Sequence, residues 1–396
     1  MGVYRAALAP MRHQDTMLEQ LRLADAAPSR AETLARLRLS RTEGIGPATF
    51  RRLIERHGTA TAALAALPRI AARTGRTLTP FPAIDASREM EALDRLGGTW
   101  LHLGAPGYPP LLGLVEDAPP ILAVLGDASV LLRRQVGVVG ARSASAGGRR
   151  VAEELAAGLT MAGVVVTSGL ARGVDAAAHL GALGAHGRTV AVVAGGLDQP
   201  YPPEHAGLQA RIAAEGGVVV AEAPLGTAPL ARHFPRRNRI VAGMVLGVVV
   251  VEAAQRSGSL ITARLALEAG REVFAVPGSP LDPRARGSND LIRQGAHLVE
   301  TAEDVLANLP EAPREAPLFR PRPDTPEPTS EAEDASPPSD AAGQLLEMLA
   351  PTPVGVDDLA RRCHLSPPAV RAMLLDLELS GLVEVLPGDR VARAAR

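Results

Sequence analysis

The chain has 396 residues, 46% of them hydrophobic, enough to bury a large core and to build two or three domains. Its formal net charge of −1 excludes a histone-like blanket of positive charge, so any nucleic-acid contact has to come from a local patch. One cysteine, Cys363, excludes an intrachain disulfide framework, and the longest apolar runs, such as "MVLGVVVVEAA", are too short and glycine-broken to span a bilayer. No charged-then-apolar signal segment opens the sequence, so the expectation is a soluble, cytoplasmic protein.

Residues 1–30 have weak periodicity and read as a loosely ordered tail, with a short helix at "QDTMLEQLRLAD". Residues 31–98 turn helical and form a small all-α domain. There "GIGPATFRRLIERHG" sets Gly44 and Gly46 ahead of an amphipathic stretch with Phe50, Leu53 and Ile54. That is the layout of a helix-hairpin-helix (SAM-like) module, whose glycine turn can present backbone N–H groups to a phosphate. An ordinary helical domain with a glycine turn fits the same residues equally well.

From Thr99 to Leu309 short valine-rich runs alternate with helical segments. "VGVVG" precedes a helix from about Gly147 to Ala162, "VVVTS" one from Val174, "VAVVA" one from Glu204; "VVVAE" and "LGVVVVEA" follow, then a helix from Leu260 and "VFAV". Near-continuous apolar strands are buried on both faces, which requires a parallel sheet covered by helices. The fold class is therefore α/β: residues 99–309 form a Rossmann-like, doubly wound, mostly parallel sheet.

Residues 310–340 are proline-rich, acidic and small, a composition that reads as a flexible linker. In residues 341–396 three helices precede a short hairpin around "LPGD", the pattern of a winged helix, with Ser366 as N-cap of the third helix. That helix, "SPPAVRAMLLDLELSG", has one arginine, Arg371, against Asp376 and Glu378, whereas a major-groove reader exposes basic and amide side chains there. The expectation is a protein-contact or regulatory role. Cys363 is expected in the small core of this module as an inert apolar residue.

In an open α/β sheet, ligands bind beyond the carboxyl ends of the strands. This chain places "GARSASAGG" there, with Gly140, Arg142 and Ser143, then "SGLARGVD", with Ser168, Gly169, Arg172, Gly173 and Asp175. Next come "GGLDQPYPPEH", "EAPLGTAPLARHFPRRNRI" with Phe234, Arg236, Arg237, Asn238 and Arg239, and "EAAQRSGSLITA". Glycines for close backbone approach, helix N-termini and arginines together predict an anion-binding rim. The sequence contains no lysine, so all 42 lysine-or-arginine positions are arginine and every phosphate contact is a planar, multi-donor guanidinium.

The same rim lacks a G-x-G-x-x-G turn, a P-loop lysine, metal-ligand spacing and a recognisable triad, so no cofactor, metal or catalytic group is expected. Two classes remain open. One is a nucleotide-processing enzyme, for instance an N-glycoside hydrolase using Glu222 or Glu252. The other, favoured by arginines spread over three turns, is a single-stranded nucleic-acid binder, with base stacking limited by 2% aromatic content to Phe234 and Tyr201.

"VGVVGARSASAGG", "SGLARGVDAAAH", "AVVAGGLDQPYPPEH", "EAPLGTAPLARHFPRRNRIVAG", "VVVVEAAQRSGSLITARLALEAGREVFAVPGSP" and "GSNDLIRQGA", in this order, resemble the DprA/Smf family of DNA-processing protein A. The resemblance implies a non-enzymatic recombination mediator. It would bind single-stranded DNA beside single-strand-binding protein, help load RecA, protect incoming strands in natural transformation, and work as a homodimer through its Rossmann-like domain. It also implies DNA-binding roles for Arg142 in G-[SA]-R, for Arg172 in place of the family's lysine, and for Phe234, Arg237 and Asn238 in FPxRN. For Asn238 and Arg239, helix capping and interstrand packing remain an alternative.

Overall fold

The computed structural model describes residues 27–74, 78–310 and 341–394, the last range without 350–352, 364, 380–381 and 387–389. The expected tail and its helix, the linker beyond Pro310 and the tip of the C-terminal hairpin lie outside the described residues.

Four helices build the first domain: α1 (Arg30–Arg41), α2 (Pro47–His57), α3 (Ala60–Thr74) and α4 (Ala83–Arg95). Ser29 caps α1 by accepting from the Glu32 N–H, and the Glu32 carboxylate accepts from the N–H groups of Ala60 and Thr61 at the start of α3. Gly44 takes φ +81°, a left-handed conformation that lets the chain reverse between α1 and α2. Phe50 and Leu53 close the core against Leu39, Ala63 and Leu67, with Ile54 half-buried beside them.

The central domain runs β1 (Thr99–His102), α5 (Pro110–Gly113), β2 (Ile121–Gly126), β3 (Gln135–Gly140), α6 (Ala146–Met161), β4 (Val165–Ser168), α7 (Val174–Gly184) and β5 (Thr189–Val193). It continues with α8 (Ala206–Ala214), β6 (Val218–Ala221), α9 (His233–Met244), β7 (Gly247–Val251), α10 (Gly258–Glu268), β8 (Glu272–Ala275), α11 (Arg286–Arg293), β9 (His297–Leu298) and α12 (Ala302–Asn308). Its nine-stranded sheet has the order β1-β2-β6-β5-β4-β3-β7-β8-β9. All pairs are parallel except β1 with β2 and β2 with β6. This is the doubly wound sheet the valine runs predict, with an antiparallel edge they did not announce.

Alternation along β7 shows why both faces are apolar: Val248 and Val250 pack under α9 and α10 beside Ile240 and Ala263, while Val249 and Val251 meet Leu155 and Ala177 of α6 and α7. The chain winds outward from β3 through β4, β5 and β6, then returns to β7 on the other side of β3. The turns after β3 and β7 therefore diverge at the switch point of the sheet, where a crevice opens.

"HFPRRNRIVAG", which the sequence places beyond a strand end without an assigned element, begins α9. Pro235 sits in the first turn, where its missing N–H removes no intrahelical bond.

The C-terminal module comprises α13 (Ala341–Glu347), β10 (Val354–Gly355), α14 (Val356–Cys363), α15 (Pro367–Leu379), β11 (Val383–Leu386) and β12 (Arg390–Arg393), with sheet order β10-β12-β11. Ser366 Oγ accepts from the Ala369 N–H at 3.4 Å, and Cys363 lies half-buried against the module's core. Val370, Leu374 and Leu377 of α15 face that core. On a second stripe, Leu375 is buried with Leu53 and Ala63 of the first domain, and Glu378 pairs with Arg52 of α2 at 2.5 Å. The presumptive recognition helix thus contacts protein. Among the described residues no helix is long and apolar enough to cross a membrane.

Candidate nucleic-acid interface

The crevice at the switch point is a cavity of about 770 Å³. The β3–α6 turn contributes Gly140, Arg142 and Ser143, α9 contributes Phe234, Arg237 and Asn238, and the β7–α10 turn contributes Arg256 to Ser259. Tyr201, from the loop after β5, completes the wall. Gly140 is required by close packing, because a Cβ there would stand 1.8 Å from the Val251 carbonyl oxygen and 2.6 Å from Val174. Gly173 has φ +76°, and a Cβ on it would stand 2.2 Å from the Ala141 carbonyl oxygen.

Three side chains form an aromatic and cationic platform. The guanidinium of Arg142 lies 4.7 Å above the centroid of Phe234, and the Tyr201 ring meets Phe234 edge-on at 5.6 Å. Arg142 and Arg256 are exposed, and among the described residues neither has an ion-pair partner at the cavity wall. Arg284, also on the wall, is held by Asp282 at 2.8 Å.

Arg237 behaves differently. It is 7% exposed, donates through Nη1 to the Val192 carbonyl at 3.2 Å and faces Asp175 at 3.9 Å. Burial pushes its guanidinium below, and the Asp175 carboxyl above, their ordinary ranges; the mutual attraction opposes both shifts. Gly169 leaves room for it, since a Cβ there would stand 1.1 Å from Nη1.

The backbone of these turns is less available to an anion than the glycine count suggests. Asp175 accepts from the N–H groups of Gly169 and Ala171 at 3.1 and 3.3 Å, occupying the β4–α7 turn. Glu252, at φ +51°, accepts from the Ser145 N–H at 2.9 Å and from its hydroxyl, occupying the β3–α6 turn. Asp198 accepts from the Gly226 N–H at 2.8 Å. The α10 N-terminus, capped by Ser257, has no acidic residue in its first turn, so an anion in the cavity would meet guanidinium groups and this one helix end.

Several predicted site residues lie elsewhere. Ser168 is fully buried and donates to the Val138 carbonyl at 2.6 Å. Arg172 pairs with Glu204 at 2.5 Å and does not line the cavity. Arg239 binds Glu222 at 2.5 Å and the Asp117 carbonyl at the same distance, the packing role that stood as its alternative. Asn238 lines the cavity while donating to the Gly258 carbonyl at 3.3 Å, which joins α9 to α10. Arg236 lines a second cavity on the other side of α9. Neither Glu222 nor Glu252 lines the switch-point cavity, and no cluster of metal ligands occurs among the described residues.

Arg256, Ser257 and Ser259 were not among the predicted site residues. A signal was present: "RSAS" at Arg142 and "RSGS" at Arg256 repeat an Arg-Ser-x-Ser pattern in the two turns that flank the switch point.

Comparison with known proteins agrees with this architecture. A family model described as DNA recombination-mediator protein A matches residues 99–310, a DprA-like N-terminal HHH domain matches 30–92, and a DprA winged helix domain matches 325–389. The chain is 43% identical to protein Smf of Escherichia coli over 284 residues, covering 72% of this chain and 74% of that one. It is 42% identical to DNA processing protein DprA of Bacillus subtilis over 225 residues, 57% of this chain and 75% of that one. The X-ray structure of DprA from Streptococcus pneumoniae superposes with a TM-score of 0.60 at 32% identity, covering 72% of this chain and all of that one. The chain belongs to the DprA/Smf family of DNA-processing, recombination-mediator proteins.

Proposed function

We propose that this protein binds single-stranded DNA in the switch-point cavity, with the strand's phosphates on Arg142, Arg256 and the α10 N-terminus and a base on Phe234. The observation that carries this reading is the platform of Arg142, Phe234 and Tyr201, which combines cationic and aromatic surface, with Arg142 and the neighbouring Arg256 both lacking a carboxylate partner among the described residues. Arg237 then shapes the wall from a buried ion pair, and Gly140, Gly169 and Gly173 bring the turns close together. A binding role without catalysis fits the carboxylates: Asp175, Glu222 and Glu252 are each engaged by an arginine or by backbone N–H groups.

On this reading the protein is a cytoplasmic recombination mediator that works as a homodimer through its central domain. It helps RecA displace single-strand-binding protein and protects DNA taken up in natural transformation. The test is RecA-dependent ATP hydrolysis on DNA already coated with single-strand-binding protein. Adding this protein should shorten the lag before hydrolysis, and Arg142→Ala with Arg256→Ala should restore it. A lag unaffected by the wild-type protein would refute the mediator role.

A further inference from the structure

The first turn of α9 separates two cavities. Phe234 faces the switch-point cavity, Arg236 and His233 face a cleft of about 270 Å³ between the central and first domains, and Arg237 lines both. The opposite wall of the cleft is the hairpin turn of the first domain, Ile45 to Pro47.

The charges around this cleft are unevenly committed. Arg41 is held by Glu89 at 3.0 Å, and the Glu222 carboxylate, the one acid on the wall among the described residues, is neutralised by Arg239. The Arg236 side chain is exposed, and its guanidinium has no hydrogen bond or ion pair among the described residues. The enclosed Nε of Arg237 lacks an acceptor. Across from them α2 starts at Gly46 and Pro47 without a side-chain cap and without an acidic residue in its first turn, so the positive end of the helix dipole meets the cleft with no carboxylate competing for it. A guanidinium without a counterion and a helix start free of acidic residues thus face one cleft, beside a buried arginine that lines both cavities.

We infer that this interdomain cleft is a second phosphodiester subsite. The strand leaves the switch-point cavity, crosses the first turn of α9 and enters the cleft, so that the hairpin turn of the first domain touches the same strand as the central sheet. This inference rests on the proposed single-strand binding, and it gives the first domain a part in DNA contact that its fold alone does not establish.

The test is an affinity series with oligothymidylates from about 4 to about 12 nucleotides, using wild type, Arg236→Ala, Gly46→Glu and, as the central-cavity control, Arg142→Ala. Gly46 has φ −83°, and a Cβ on it would meet nothing within 4 Å, so Gly46→Glu sets a carboxylate at the cleft without strain. Arg142→Ala should weaken binding at every length. Arg236→Ala and Gly46→Glu should weaken the long oligomers about tenfold, with a loss that appears only once the strand is long enough to reach the cleft. Equal loss at all lengths would return Arg236 to the central cavity and overturn the subsite, as would no loss at any length. A wild type that binds no oligomer, or binds without needing Arg142, would instead refute the underlying single-strand reading and the subsite with it.

Discussion

The Nη1 atom of Arg237 occupies the space that a Cβ on Gly169 would fill, 1.1 Å from where that carbon would stand. Gly169 lies on the β4–α7 turn and Arg237 on α9, and the absence of a side chain on one admits the buried charge of the other. Gly169→Ala should therefore expel the guanidinium from Asp175 and lower stability by about 3 kcal/mol. Arg237→Ala should cost a similar amount by leaving Asp175 buried alone, and Arg237→Ala with Asp175→Asn should cost less than the sum of the single changes. Urea denaturation of wild type and these four variants checks this; fully additive losses of Arg237→Ala and Asp175→Asn would show that the pair is not coupled.

Phe234 and Arg142 share one surface but should fail differently. Arg142→Ala should reduce the slope of log affinity against log salt by about 0.7, the value for one phosphate contact on a single strand. Phe234→Ala should cost about 1 to 3 kcal/mol of affinity with little change in slope, because stacking releases no counterions. Fluorescence anisotropy across a salt series separates the two.

The C-terminal module should not contribute to that slope. Its recognition helix turns Leu375 and Glu378 toward the first domain, so removing residues 341–396 should leave the salt dependence of single-strand binding unchanged. The same contact predicts that Arg52→Glu or Glu378→Arg alone lowers the melting temperature of the first domain and that the two together restore it. A deletion that flattens the salt slope would refute the assignment.

Two buried histidines set an acid limit on stability. Burial holds His102 down at about 4 and His179 at about 3, whereas both take up a proton near 6.5 in the unfolded chain. The Thr189 hydroxyl donates to the Val166 carbonyl, so His179 must donate to Thr189 from Nδ1 in its neutral form. Below pH 6.5 the unfolded state binds more protons, so stability falls as pH drops, by about 1.4 kcal/mol per pH unit for each group until its folded value is reached. The raised Asp175 carboxyl acts in the opposite sense and is common to wild type and His179→Gln. The stability advantage of wild type over His179→Gln should therefore shrink from pH 6.5 to 4.5 in thermal melts; an advantage independent of pH would contradict the assignment.

The sheet was legible because valine runs buried on both faces leave few alternatives, and its glycine turns correctly marked the carboxyl edge. The antiparallel β1 and β2 were not, since short strands at an edge lack a distinctive period. The helical start of "HFPRRNRIVAG" was obscured by Pro235, a residue that breaks helices everywhere except the first turn. Partner choice was the deeper gap. Which arginines stay uncommitted depends on carboxylates distant in sequence, Glu204 for Arg172 and Glu222 for Arg239, and local pattern does not register them. Nor could spacing show that Asp175 and Glu252 fold back to occupy the N–H groups of their own turns.

The central claim is that single-stranded DNA lies in the switch-point cavity on Arg142, and it is tested most directly by titrating matched single-stranded and duplex oligonucleotides with wild type, Arg142→Ala and Arg172→Ala across a salt series. The account predicts a preference for the single strand that collapses in Arg142→Ala and largely survives in Arg172→Ala, whose guanidinium is paired with Glu204 outside the cavity. Binding indifferent to Arg142, or lost through Arg172 alone, would contradict it.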